Sequence, residues 1–89
     1  MEKDVEFLMV NAATKALDYK DKNPEALEEE IIKYVLNTLN VESALKIKGM
    51  ASANEVLKIK KISKNATNKE VMQMFMNNLS KFSTSLEEE

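Results

Sequence analysis

The spacing of apolar residues is what most limits how this chain can fold. Over residues 4–21, apolar side chains recur three and four positions apart, at Val5, Leu8, Ala12, Ala16 and Tyr19. That period corresponds to one face of an α-helix. Comparable apolar stripes run through residues 24–39 and 68–82, so the sequence predicts a helix over each of the three segments.

Two of these helices carry recognisable start signals. Asn23, Pro24 and Glu25 offer a capping side chain, a proline for the first helical position and a carboxylate for the first turn, which predicts that the second helix begins at residue 24. Thr67 and Glu70 have the spacing of a capping box, in which each side chain accepts a hydrogen bond from the backbone N–H of the other residue. The helix over 68–82 should therefore begin directly after Thr67.

The middle of the chain is ambiguous. Residues 45–48 and 57–60 both have the sequence Leu-Lys-Ile-Lys, and this alternation is typical of half-buried strands. Ser52 and Glu55 instead fit a second capping box, and Gly49 fits the end of a helix. We therefore predict an all-α bundle of four to five helices, with two short helices in the middle. The alternative is a two-stranded, Lys-rich hairpin at about 44–62.

The organisation should be simple. With 89 residues, one glycine and one proline, the chain has the size of one domain, which we place at residues 1–82, followed by a disordered acidic tail at 83–89. Glu30, Asn37 and Leu39 recur forty residues later as Glu70, Asn77 and Leu79. Two amphipathic helices often match this well by chance, so we expect coincidence rather than duplication.

Missing residue types exclude most kinds of chemistry. The chain has no cysteine and no histidine, which removes thiolate nucleophiles, imidazole bases and the usual zinc ligands. A single glycine is too few for a phosphate-binding loop or a dinucleotide fingerprint. The acidic residues lack the spacing of a calcium-binding loop. We expect no enzyme activity, no cofactor, no metal and no small-molecule substrate.

The chain also lacks the hydrophobic segments that direct proteins to membranes. Its apolar runs are far shorter than the roughly 20 residues of a membrane span. Its acidic start differs from a secretory signal, in which basic residues precede an apolar run. We therefore expect a cytoplasmic protein without a membrane partner.

Charge is distributed unevenly along the chain. Residues 43–69 contain seven lysines and a single acid, although the whole chain has a net charge of −2. A basic segment of this kind is a candidate for contact with nucleic-acid phosphates. The candidate nucleic-acid-binding residues are Lys46, Lys48, Lys58, Lys60, Lys61, Lys64 and Lys69. The alternative is a solvated lysine face that pairs with acidic helices of the same chain. The absence of arginine disfavours tight DNA recognition.

Methionine marks a second candidate surface. Met72, Met74 and Met76 alternate within one predicted helix and cannot all lie on one side of it. Flexible thioether side chains suit adaptable protein-binding grooves, although core packing would also explain them. The candidate protein-interface residues are Met72, Met74, Phe75, Met76 and Leu79. We predict a non-catalytic helical module for protein interaction or self-association, with a regulatory role. Nucleic-acid binding through residues 46–69 is the alternative function.

Overall fold

Four helices account for most of the chain. The computed structural model describes residues 3–79, with side chains from residue 5 onward. The helices are α1 (Lys3–Lys22), α2 (Glu28–Thr38), α3 (Ser43–Ile62) and α4 (Asn68–Asn77), and no strand occurs between residues 3 and 79. The prediction of a small all-α bundle is confirmed. The last predicted turn of the fourth helix, residues 80–82, and the acidic tail at 83–89 lie outside the described residues.

The two long helices form the centre of the bundle. α1 and α3 share the most extensive interface, while α2 and α4 each pack against both of them. The faces of α1 and α3 that meet carry small side chains, among them Ala12 and Ala13 on α1 and Ala53 on α3, all fully buried. Small residues let the two helices approach closely and leave the larger side chains of α2 and α4 to fill the core from the sides.

α3 corrects the prediction for the middle of the chain. Residues 43–62 form one continuous helix rather than two short helices or a hairpin. Gly49 does not end a helix, and Ser52 does not cap one, because both are buried inside α3. The Ser52 hydroxyl donates a hydrogen bond to the Lys48 carbonyl one turn earlier, at 2.8 Å. A buried hydroxyl satisfied in this way is compatible with an uninterrupted helix.

The start of α2 also differs from the prediction. The helix begins at Glu28, four residues after Pro24. The carbonyl of Asn23 accepts a hydrogen bond from the N–H of Ala26 at 2.9 Å, so residues 23–26 form a β-turn. Asparagine first and proline second are favoured in such turns as well as at helix starts. The same two residues therefore had two possible roles, and the turn is the one adopted.

The described part of the chain has two halves whose helices match at a spacing of forty residues. α3 begins and ends forty residues after α1, and α4 begins forty residues after α2. Each buried residue described in the second half lies forty positions after a buried residue of the first half. These second-half residues are Gly49, Ser52, Ala53, Val56, Leu57, Val71, Phe75 and Leu79. The repeat is therefore a property of the core, although few surface residues share it.

A contact between the two halves is also repeated at a spacing of forty residues, with the helices of the two halves exchanged. The side chain of Asn68, on α4, donates a hydrogen bond to the carboxylate of Asp21, on α1. The equivalent residues forty positions away are Glu28, on α2, and Lys61, on α3, whose charged groups lie 4.0 Å apart. An α1–α4 contact thus reappears as an α3–α2 contact. Each half therefore contacts the other through its long helix and its short helix.

The predicted capping box at Thr67 is confirmed. The Thr67 hydroxyl accepts a hydrogen bond from the Glu70 N–H at 3.1 Å, and the Glu70 carboxylate accepts one from the Thr67 N–H at 2.9 Å. The backbone bond lowers the pKa of Glu70 below its ordinary value of 4.5, and the hydroxyl of Thr67 and the charge of Lys60 lower it further. The cap therefore favours the ionised carboxylate.

This cap predicts a pH dependence of stability. A carboxylate with a lowered pKa in the folded protein stabilises the fold at pH values above 4.5, and the contribution is lost as the pH falls through the folded-state value. We expect Glu70→Gln to be less stable than the wild type near pH 6 and to approach the wild type near pH 3. Urea unfolding of both proteins at several pH values would measure this. A constant stability difference across the range would contradict the role of the Glu70 charge.

Candidate functional site

A surface depression lies where α1 ends, α2 begins and α3 ends. Its floor is apolar and consists of Ala26, Ile31 and Leu57, all buried. Its volume is about 680 Å³, within the range of roughly 300–1,000 Å³ that is usual for ligand clefts. It is an open groove, and we call it the Leu27 groove after Leu27, an exposed residue on its rim.

Charged side chains form the rest of the rim. Four lysines and two glutamates surround the apolar floor: Lys20, Lys60, Lys61, Lys64, Glu28 and Glu29. Two of the lysines are fixed by carbonyl groups. The ammonium of Lys20 donates to the carbonyls of Pro24 at 2.8 Å and Ala26 at 3.2 Å, and that of Lys60 donates to the carbonyl of Ala66 at 2.7 Å. Neutral carbonyl acceptors do not compensate the positive charge of either group, although the charge of Lys60 also acts on the carboxylate of Glu70.

Leu27 occupies the N-cap position of α2. Its backbone angles, φ −77° and ψ 154°, closely match those of the equivalent Thr67, φ −74° and ψ 163°. Thr67 caps α4 with its hydroxyl, whereas α2 has no side-chain cap. The side chain of Leu27 is 65% exposed, although the sequence had placed it on the buried face of the second helix. The start of α2 at residue 28 explains that error.

A leucine is an unfavourable residue at a helix N-cap. Exposed leucines are common in general and by themselves indicate little. An apolar residue at this position, however, forfeits about 1 kcal/mol that a threonine would supply. Its equivalent in the second half of the chain has the favourable residue. Departures from local stability rules tend to concentrate at functional sites, and this one lies on the rim of a groove with an apolar floor.

The seven candidate nucleic-acid-binding lysines do not share one face. Within α3, Lys46 and Lys60 are fourteen residues apart, which is about 21 Å along the helix. Helical geometry places Lys48 and Lys61 on opposite flanks of the buried stripe, and Lys58 points away from it. Only three of the seven line the Leu27 groove: Lys60, Lys61 and Lys64.

Lys69 lies elsewhere again. It lines a smaller depression of about 280 Å³ between α1 and α4, together with Lys15 and Asp18. Nucleic-acid binding by the full set stays a prediction, and the placement of the lysines does not favour it.

The candidate interface on α4 divides into core and surface. Phe75 and Leu79 are buried in the core, and Met72 is half-buried against it. Met74 and Met76 are exposed, at 39% and 53%, on opposite flanks of the helix. The five residues therefore do not form one apolar surface. The equivalence of positions forty residues apart was the signal that could have directed attention to Leu27 instead.

Two other kinds of site are absent from the described part of the chain. Between residues 3 and 79, no group of three or more acidic side chains is arranged to hold a metal ion. None of the helices in that range combines the length and apolar character of a membrane span.

Comparison with known proteins leaves the site to be judged on its own geometry. No protein-family model matches the chain, and neither curated proteins nor solved structures give a significant match. The Leu27 groove is therefore the feature from which a function can be inferred.

Proposed function

We propose that this chain is a non-catalytic protein-interaction module that binds a segment of a partner protein in the Leu27 groove. The observation that carries the proposal is the exposed, uncapped Leu27, which lies beside an apolar floor and replaces the capping residue found at its equivalent position. Burying this side chain against a partner would recover the hydrophobic free energy that the isolated fold forgoes. A regulatory role in the cytoplasm, as expected from the sequence, belongs to the same proposal.

The chemistry of the groove favours a protein segment over a small molecule. Among the described residues, its floor contains no polar side chain, and its charged groups stand at the rim. Small-molecule sites usually enclose most of the ligand and present converging polar groups that fix its orientation. A shallow groove with an apolar floor and a charged rim instead matches the way amphipathic helices bind, with apolar anchors inside and polar flanks outside.

The substitution Leu27→Thr should increase stability and abolish binding. A threonine at position 27 would repeat the geometry of Thr67, with Glu30 in the position of Glu70, so we expect a gain of about 1 kcal/mol in the free energy of unfolding. Urea denaturation would measure that gain. Binding would be followed by selecting peptides from a displayed library on the wild-type protein and testing them against the variant.

Two matched variants make the result specific. Thr67→Leu should lose about 1 kcal/mol of stability and keep peptide binding, because it removes the other cap and leaves the groove intact. Phe7→Thr removes an apolar side chain that is 75% exposed and lies outside the groove, and it should also keep binding. Selected peptides that bind Leu27→Thr as tightly as the wild type would overturn the proposal.

A further inference from the structure

The charges around the Leu27 groove are arranged asymmetrically. One wall, formed by the end of α3, carries Lys60, Lys61 and Lys64, and Lys20 adds a fourth positive charge from α1. The opposite wall, at the start of α2, carries Glu28 and Glu29. The rim is therefore positive overall, and its positive charges are concentrated on one side of the apolar floor.

The two walls neutralise each other only weakly. The ion pair that the described residues form across them joins Lys61 and Glu28 at 4.0 Å, between side chains that are 78% and 58% exposed. Pairs of this kind contribute little to stability in water. Lys20 and Lys60 donate hydrogen bonds to backbone carbonyls, and Lys60, which also donates to the Asn68 side chain, acts on the Glu70 carboxylate through its charge. The lysines are thus available to a negatively charged ligand without first breaking a strong internal ion pair.

We propose that the occupant of the Leu27 groove is an amphipathic segment of a partner protein with acidic residues along the flank that faces α3. This inference rests on the proposed function and adds the chemistry of the partner. Apolar side chains of the segment would cover Ile31 and Leu57 and contact Leu27, while its carboxylates would face the α3 lysines. α2 lines the groove only through its first turn, at Glu28, Glu29 and Ile31, and α3 lines it at Leu57, Lys60 and Lys61.

Glu28 and Glu29 disfavour a nucleic acid as the ligand of the Leu27 groove. A phosphate backbone that contacted Lys60 and Lys61 would also approach Glu28 and Glu29 and be repelled by them. The apolar floor would meanwhile remain uncovered by a charged backbone. A segment with one acidic flank avoids both penalties, because its opposite flank can be neutral or basic where it meets α2.

A set of three labelled peptides would test the inference. Each is a 14-residue amphipathic helix with leucines along one face and glutamate, glutamine or lysine along one flank. Fluorescence anisotropy with the full chain at low salt should show the glutamate peptide binding about tenfold more tightly than the glutamine peptide, and the lysine peptide most weakly. The preference should shrink as the salt concentration rises.

Variants of the protein would show which lysines cause the preference for the glutamate peptide. Lys61→Gln combined with Lys64→Gln should reduce the preference for glutamate over glutamine about fivefold, because both lysines line the groove. The control, Lys33→Gln combined with Lys58→Gln, removes two exposed lysines outside the groove and should leave the preference unchanged.

The outcomes separate the two proposals. Binding that is lost in Leu27→Thr but shows no preference among the peptides would overturn the acidic partner and leave the interaction module standing. If none of the peptides binds, or if they bind Leu27→Thr as tightly as the wild type, both proposals are contradicted. Sedimentation of the protein alone as a dimer that Leu27→Thr converts to a monomer would assign the groove to a second copy and overturn the acidic partner.

Discussion

Replacing Phe75 by alanine is expected to lower the free energy of unfolding by about 3–5 kcal/mol. The ring is 1% exposed and lies in the core with Val71 and Leu79, so its removal leaves a cavity that rigid helices cannot close. A domain of this size has a total stability of roughly 4–13 kcal/mol. The variant would therefore lose a large share of the total stability and unfold at a much lower urea concentration than the wild type.

The matched control lies next to Phe75 in the same helix. Met76 is 53% exposed, and Met76→Ala should change the stability by no more than about 0.5 kcal/mol. Urea unfolding followed by circular dichroism would compare the two variants. Equal losses would show that α4 is not oriented as described, with Phe75 facing α1 and α3.

The second large effect concerns the contact between Leu39 and Gly49. Leu39 is 5% exposed, and Leu39→Ala should cost about 2–5 kcal/mol. A β-carbon on Gly49 would lie 2.5 Å from the Cδ1 atom of Leu39, which is too close, but 3.6 Å from the Cβ atom of Ala12, which is ordinary contact. A side chain at position 49 would therefore have to displace the end of Leu39, whereas the backbone itself does not need glycine there, since its φ is not positive.

A double-mutant cycle would measure this dependence. In the wild type, Gly49→Ala must displace the end of Leu39, and this cost opposes the gain of roughly 1 kcal/mol from better helix propensity. In the Leu39→Ala background the obstruction is gone, so Gly49→Ala should stabilise the protein by about 1 kcal/mol. We expect a coupling of at least about 1 kcal/mol between the two sites. Additive effects in the four unfolding curves would contradict the described contact.

The sequence predicted the elements whose signals are local. α1 follows from the period of its large apolar residues, and the start of α4 follows from the Thr67 capping box, whose two hydrogen bonds depend only on neighbouring residues. The all-α fold class follows from the same periodicity. Local signals of this kind survive because tertiary packing reinforces them.

The errors arise where the deciding contact is not local. The buried stripe of α3 contains Gly49, Ser52 and Ala53, residues that carry little hydrophobicity, so the helical period was hidden. Their small size matters only because of distant parts of the chain, α1 and, for Gly49, the side chain of Leu39. Asn23 and Pro24 favour both a helix start and a turn, and only the packing of α2 selects the turn.

The functional site was missed for a related reason. Leu27 belongs to an apolar stripe in the sequence and gave no sign of being exposed. The unusual residue type at position 27 is apparent only by comparison with Thr67. That comparison requires recognising that positions forty residues apart are structurally equivalent. Three of the four lysines of the Leu27 groove, Lys60, Lys61 and Lys64, were predicted, but as members of a longer basic segment that the fold disperses over several faces, and Lys20 was missed.

The exchanged contacts between the two halves have a consequence for how such a site can arise. Two separate copies of one short chain, paired by the same geometry, would be bound to change together, and every substitution would appear twice. One polypeptide that contains both halves is free of that constraint. It can keep threonine at position 67, where the helix needs it, while position 27 gives up the same benefit and becomes available for recognition.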